Sequence, residues 1–375
     1  MTVPEQPLHP GMFSADTKAL AGAAAVVEGV RAAFLAQEGV TGALDILEHR
    51  AGFYRQFTMQ AGVRNPFVQL GEAWSTHALC FKRYAACGYA SGAVDAAREI
   101  HGRPGFRFED VDRYEVATSY PAMALDRLSE PHEPGLFTPP NVQFSILKCV
   151  AAALALGDLR GFHFSAAAFP DVIPPVRTLA GRGRLVHDWH FTVQQLMGID
   201  AGLNEGGSRH SADMWQFYKT SRVFRAMFGS VRAIEPKDFW RILRLPKEER
   251  QYFVRRWARS ARSYLGRPRS RPEGAYRPLG DLRRLSFRMG SRVTVVMKDG
   301  ATLVAERLVP TGMAGDPDRR EVVREKLIAE GERVLDRKSC LELWDAIAGL
   351  PATSPARIVS LSTGNVKGID HAEAH

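Results

Sequence analysis

Residues 292–309 read RVTVVMKDGATLVAERLV, two β-branched runs on either side of Asp299–Gly300. β-Branched side chains fit a pleated surface better than a helix, and Asp-Gly is the strongest short-range signal for a tight hairpin. The stretch predicts two antiparallel strands and puts a sheet into a chain whose ends read as helical.

Outward from the hairpin, RYEVATSY (113–120) alternates Tyr114, Val116, Thr118 and Tyr120 and predicts a half-buried strand. LVHDWHF (185–191) reads as another, and extended pieces are expected near Phe67–Leu70 and Leu79–Tyr84. A long helix is expected from about Asn141, where NVQFSILKCVAAALALGD lines up Phe144, Leu147, Ala151, Leu154 and Ala155 on one side. Another runs from about Ser91 to His101. At the N-terminal end SADTKALAGAAAVVEGVRAAFLAQEGV predicts a helix capped at Ser14 or Asp16 and stopped at Gly39. TGALDILEHRAGFYRQF (41–57) follows as a second helical stretch, and helices over Arg319–Val334 and Ser339–Leu350 close the chain. The fold class is α+β, with helix-rich ends around a mixed middle.

With 375 residues and 45% hydrophobic content there is room for two or three domains with a real core. No apolar run reaches the roughly 18 residues of a membrane span, and MTVPEQPLHPGM lacks the pattern of a secretory signal. Cys80, Cys87, Cys149 and Cys340 show no CxxC spacing, so buried thiols in a reducing cytoplasm are expected. The net charge of +9 is local: between Leu245 and Gly290 stand 13 basic residues against 4 acidic ones, an excess equal to that of the whole chain. Arginines mixed with Trp257, Tyr264 and Tyr276 there would suit phosphate contacts with stacking, a protein interface or a solvated loop; nucleic acid is not the expected partner.

Four stretches together resemble the MmgE/PrpD family, which includes 2-methylcitrate dehydratase and cis-aconitate decarboxylase. KRYAACGYASGAVDA (82–96) is similar to its lysine–x–aromatic strand, cysteine-containing turn and helix, and NVQFSILKCVAAALALGDL (141–159) to its "QFS…AAAL.G" helix. VTVVMKDGATLVAERLVPTGMAGDPDRREVVREKL (293–327) resembles its hairpin, following turn and helix, and TKALAGAAAVVEGVRAAFLAQEGVTGALDILEHRAGF (17–53) its closing helix pair. The likeness covers roughly residues 12–190 and 290–350. It implies a cofactor-independent lyase or isomerase acting on a small di- or tricarboxylate, usually as a homodimer. The implied organisation is a helical N-terminal portion over 1–66, an α+β lid domain over 67–191 and a basic, aromatic-rich insert over 192–289. The lid hairpin follows over 290–312, and C-terminal helices over 313–375 return to the helical domain.

The chain also departs from that pattern. The family's helical half with its aspartate- and histidine-bearing stretch has no match, so a subunit that needs a partner to supply it, or a degenerate member, stands beside the active lyase. Lys-x-x-His-x-Gly is reduced to Lys18-Ala19-Leu20-Ala21-Gly22-Ala23, Cys87 or Ser91 stands where histidine is usual, and Lys148 stands at a position often tyrosine.

Abstracting a proton next to a carboxylate needs a base, and cations to hold the carboxylates as charge develops. Lys18, Lys82 and Lys148 are the right type for the second task, each against a bland alternative: a surface lysine at Lys82, a snorkelling one at Lys148, an ordinary helix-start residue at Lys18. Cys87 is either a proton carrier or an inert thiol, and Ser91 either a substrate contact or the N-cap of the helix after it. The assignment expected from the resemblance is catalytic Lys18, Cys87 and Lys148, with Lys82, Tyr84 and Ser91 binding substrate. No cofactor or metal is expected; His187-x-x-His190 has no third ligand in view, and on a strand its two histidines would face opposite ways.

Overall fold

The computed structural model describes residues 20–47, 49, 51–53, 70–72, 74–128, 137–203, 236–265 and 280–363. The expected caps at Ser14 and Asp16 and the extended piece before Leu70 lie outside them. The chain is of the α+β class, helices around one four-stranded mixed sheet. In order come α1 (Leu20–Gln37), α2 (Ser91–His101), β1 (Val111–Thr118), α3 (Tyr120–Leu128), α4 (Pro139–Gln143), α5 (Ile146–Leu156) and α6 (Phe169–Ala180). Next are β2 (Gly183–His187), α7 (Trp189–Leu203), α8 (Pro236–Leu243), α9 (Lys247–Leu265), β3 (Ser291–Met297) and β4 (Thr302–Arg307). Three helices follow: α10 (Arg319–Gly331), α11 (Arg337–Ala348) and α12 (Pro355–Thr363).

The hairpin forms as its residues require. Gly300 takes φ 87°, which a side chain would disfavour, and Asp299 Oδ1 accepts from Ala301 N at 2.9 Å, closing the turn. Ser291, Val293 and Val295 point into the core while Arg292, Thr294 and Val296 are half-exposed, the period of two that the sequence shows. The sheet order is β2-β1-β3-β4, with β1 parallel to β2 and antiparallel to β3. The four described helices between β1 and β2 provide the crossover that a parallel pair needs.

One face of this sheet carries the main core. α2 packs on β3 and β4, and α5 packs on α2, α6 and β2. Val94, Ala97, Ile100, Val116, Val150, Leu154, Val176, Leu179, Val293 and Val295 fill the space between. Buried polar groups pin it: Tyr114 OH donates to Leu147 O at 2.9 Å, and His101 Nδ1 to Leu154 O at 2.8 Å. Ser291 Oγ donates to Thr118 Oγ1 at 2.9 Å, and Thr118 Oγ1 to Gly290 O at 3.1 Å.

Several expectations are corrected. The long helix from Asn141 is two helices, because Ser145 takes an extended conformation and caps α5, accepting from Lys148 N. LVHDWHF is a strand only as far as His187; Asp188 Oδ1 accepts from His190 N at 2.9 Å and opens α7. Leu79–Tyr84 forms no strand and holds its place through Phe81 N to Gly312 O at 2.7 Å. Within 41–57, residues 44–47 form a turn and only Phe53 is helical among the described residues; Leu44 is fully exposed, and an amphipathic helix with nothing to pack on lacks its main source of stability. Ser91 is the first residue of α2, not its N-cap, which is Ala90. α12 has no counterpart among the expected helices.

Gly92 is where α2 comes closest to the sheet. A Cβ there would lie 2.6 Å from Met289 O and 3.3 Å from Gly290 Cα, both backbone atoms that cannot swing away. Gly92→Ala is expected to cost about 1–3 kcal/mol in urea denaturation. A variant as stable as the parent would show that the helix rests further from the sheet.

Candidate functional site

The break between α4 and α5 makes a small chemical cluster. Asp126, at the end of α3, accepts from Ile146 N at 2.6 Å through Oδ1, so a carboxylate occupies the start of α5, where the helix dipole favours negative charge. Lys148 and Cys149 stand on the first turn. The Cys149 thiol is fully buried and reaches two carbonyls, Val142 O at 3.1 Å and Gln143 O at 3.7 Å. Cys87 enters from the loop before α2, its amide donating to the same Gln143 oxygen at 2.9 Å.

The electrostatics follow from burial. Lys148 is half-buried, and loss of water lowers its pKa, an effect partly offset by Asp126 and Cys149. The Cys149 thiol is pushed well above the ordinary thiol range, by burial first, then by Asp126 and Cys87, with Lys148 opposing. The Lys148 ammonium also lies 4.7 Å from the Phe137 ring centre, and the Arg177 guanidinium 4.9 Å from the same centre. Arg177 has no carboxylate partner among the described residues.

Tyr84 belongs to a different network. Its side chain is buried, and its hydroxyl donates to Asp95 Oδ1 at 2.5 Å while Arg98 Nη1 reaches it at 3.4 Å. Burial, then the Asp95 carboxylate, raises the Tyr84 pKa far above the usual phenol value. Asp95 Oδ2 also accepts from Thr311 N at 2.8 Å, and Arg98 Nε donates to Gly157 O at 3.0 Å. This network borders an open polar cleft of about 270 Å³ lined by Asp95, Arg98, Glu99, Arg307 and Thr311.

Of the six residues expected at the site, Cys87 and Lys148 each act electrostatically on the Cys149 thiol. Lys82 is exposed, and its described contacts run to α10: its carbonyl accepts from Lys326 Nζ at 2.8 Å, beside an Arg83–Glu325 ion pair. The Tyr84 hydroxyl is spent on Asp95, and Ser91 is buried with no hydrogen-bond partner for Oγ among the described residues. Lys18 lies outside the described residues. Asp126 and Arg177 were missed, since nothing in their spacing ties them to α5. Cys149 was visible as a thiol, but its partnership with Cys87 was not.

The other motifs are absorbed internally. His187 Nε2 bonds Thr192 Oγ1 at 2.8 Å, and His190 Nδ1 lies 2.8 Å from Glu249 Oε1, so the pair stands on two elements with separate partners. Among the described residues no three His, Cys, Asp or Glu side chains gather to hold a metal. In the basic segment, Arg256 contacts Asp200 and Tyr252, and Arg288 donates to Gln194 Oε1 at 2.6 Å. No described helix is long and apolar enough to cross a membrane. No protein-family model matches the chain, and no curated protein sequence matches it either.

The depressed Lys148 pKa has a sign that can be checked. Between its folded value and the unfolded one, the unfolded chain binds more protons, so stability due to this group rises with pH across that window. Lys148→Met should therefore be the more stable form at pH 7 in urea denaturation, with its advantage shrinking toward pH 10. An advantage that stays constant or grows would contradict a desolvated ammonium.

Proposed function

We propose that this chain is a lyase similar to the MmgE/PrpD family, acting without a cofactor on a small di- or tricarboxylate. What supports the reading is Lys148, a half-buried lysine on the first turn of α5, and Cys87, whose amide is bonded to the Gln143 carbonyl just before that turn. An ammonium stripped of part of its water binds a carboxylate more strongly than one in solvent, and stabilises charge developing on the adjacent carbon. In this reading Lys148 holds one carboxylate. Cys87 accepts or returns the proton on that carbon, and loss of water or carbon dioxide follows. Arg177, against the same Phe137 ring, offers a second cation for a second carboxylate. Tyr84 acts through Asp95 and Arg98 to set the loop that carries Cys87.

The experiment is a thermal-shift panel of di- and tricarboxylates. A true ligand at a hundredfold excess over its Kd contributes about 2.7 kcal/mol and should raise the midpoint by roughly 5 °C. Lys148→Met should abolish the shift and Arg177→Ala should reduce it. If no acid stabilises the parent, or Lys148→Met responds equally, the reading fails. Deuterium wash-in without loss of water or carbon dioxide would identify an isomerase or epimerase instead.

A second reading, a subunit that works only with a partner chain or a second copy, is favoured by α1. Val26, Val30, Phe34 and Leu35 are each more than half exposed on it, and Glu28 and Arg31 are its only charged residues. A helix that is apolar around most of its surface is ordinarily covered. Light scattering after gel filtration should give a mass above the 41.5 kDa of one chain, returning to that value in Val30→Asp/Phe34→Asp. A monomeric parent would favour a chain that acts alone or with a different protein.

A further inference from the structure

Cys87 and Cys149 are 62 residues apart in sequence, yet both are wrapped around one peptide group. The Cys87 amide nitrogen is 2.9 Å from Gln143 O, and the Cys149 sulfur is 3.7 Å from that same oxygen. A disulfide needs Cα atoms about 4.4–6.8 Å apart, and the Cys87 side chain acts electrostatically on the Cys149 thiol, so the two lie within reach of each other across this carbonyl. The two thiols differ in access: Cys87 is half-buried on the loop before α2, whereas Cys149 is sealed in the core.

We propose that Cys87 and Cys149 are a peroxide-sensitive dithiol pair, with Cys87 meeting the oxidant and Cys149 resolving it. The Cys87 thiolate attacks one oxygen of hydrogen peroxide, the O–O bond breaks, and a sulfenic acid forms with release of hydroxide, which takes up a proton as water. The Cys149 sulfur then attacks the Cys87 sulfur, the S–O bond breaks, and a second water leaves with the Cys149 proton. Two thiols and one peroxide become one disulfide and two waters. Asp126, whose carboxylate acts on Cys149 electrostatically, can receive that proton in passing. Burial keeps Cys149 protonated until the sulfenic acid stands beside it, so the pair is inert toward bulky reagents and open to a small oxidant.

The bond would tie the Gly88–Ala90 turn to the first turn of α5 and consume the thiol assigned to proton transfer. That regulatory consequence rests on the proposed function; the disulfide itself does not. The test is intact-mass and peptide-mapping analysis of the full chain before and after a few equivalents of hydrogen peroxide. The expected result is a loss of about 2 Da, a Cys87–Cys149 cross-linked peptide, and full reversal by dithiothreitol. Cys87→Ser should not cross-link. Cys149→Ser should instead gain oxygen at Cys87, and if that variant does not fold, the parent's cross-linked peptide still decides. Oxygen added to Cys87 in the parent without a cross-link, a bridge to Cys80, or no change would each overturn the pair. Repeating the carboxylate thermal shift on oxidised protein separates the two proposals: a cross-link with the shift retained keeps the dithiol pair and removes Cys87 from the site.

Discussion

The register of β1 against β3 is the constraint on which the rest depends. It sets Val116 opposite Val293 and Thr118 opposite Ser291, joining parts of the chain more than 170 residues apart. A shift by one residue would turn Val293 and Val295 to the other face and remove the floor on which α2 lies. The buried chain of Ser291 Oγ, Thr118 Oγ1 and Gly290 O marks the correct pairing, because any other register leaves hydroxyls unpaired in a dry interior. Gly92 then sets how near α2 approaches, and α2 in turn positions the Cys87 loop at one end and the Asp95–Arg98 network along its length.

Against that rigid base the start of α5 is a place of compromise. Ser145 interrupts what could have been one continuous helix, so the Val142 carbonyl accepts from Ser145 N in a tighter turn and the Gln143 carbonyl turns to the Cys87 amide. Those carbonyls hold Cys149 and the Cys87 amide. Asp126 satisfies one of the exposed amides and supplies negative charge near Lys148, so a lysine can sit half out of water without a direct ion pair. A uniform helix would have packed as well, but would have placed none of these groups together.

The two features that look most chemical in sequence turn out to be structural. Arg256 and Arg288 point to Asp200, Tyr252 and Gln194, fastening α9 and the segment before β3 to α7. His187 and His190 separate at Asp188, one ending a strand and the other starting a helix. Among the described residues, Arg256 and Arg288 therefore serve the packing of that segment.

The hairpin, β1, α2, α10 and α11 were legible because their signals are local: β-branched alternation, Asp-Gly, and apolar residues at helical spacing. The presence of a thiol at position 87 and a lysine at 148 was legible too. That both act on the Cys149 thiol was not, because it depends on a capped break at Ser145 and on long-range packing of α2 against α5. The turn region after Gly39 misled for the complementary reason: its pattern is helical, but Leu44 finds no surface to bury against. Residue order dictates which short segments prefer strand or helix, since those preferences arise between near neighbours. Which side chains share a pocket is decided only when the β1–β3 pairing closes the chain, since desolvation and charge act through space.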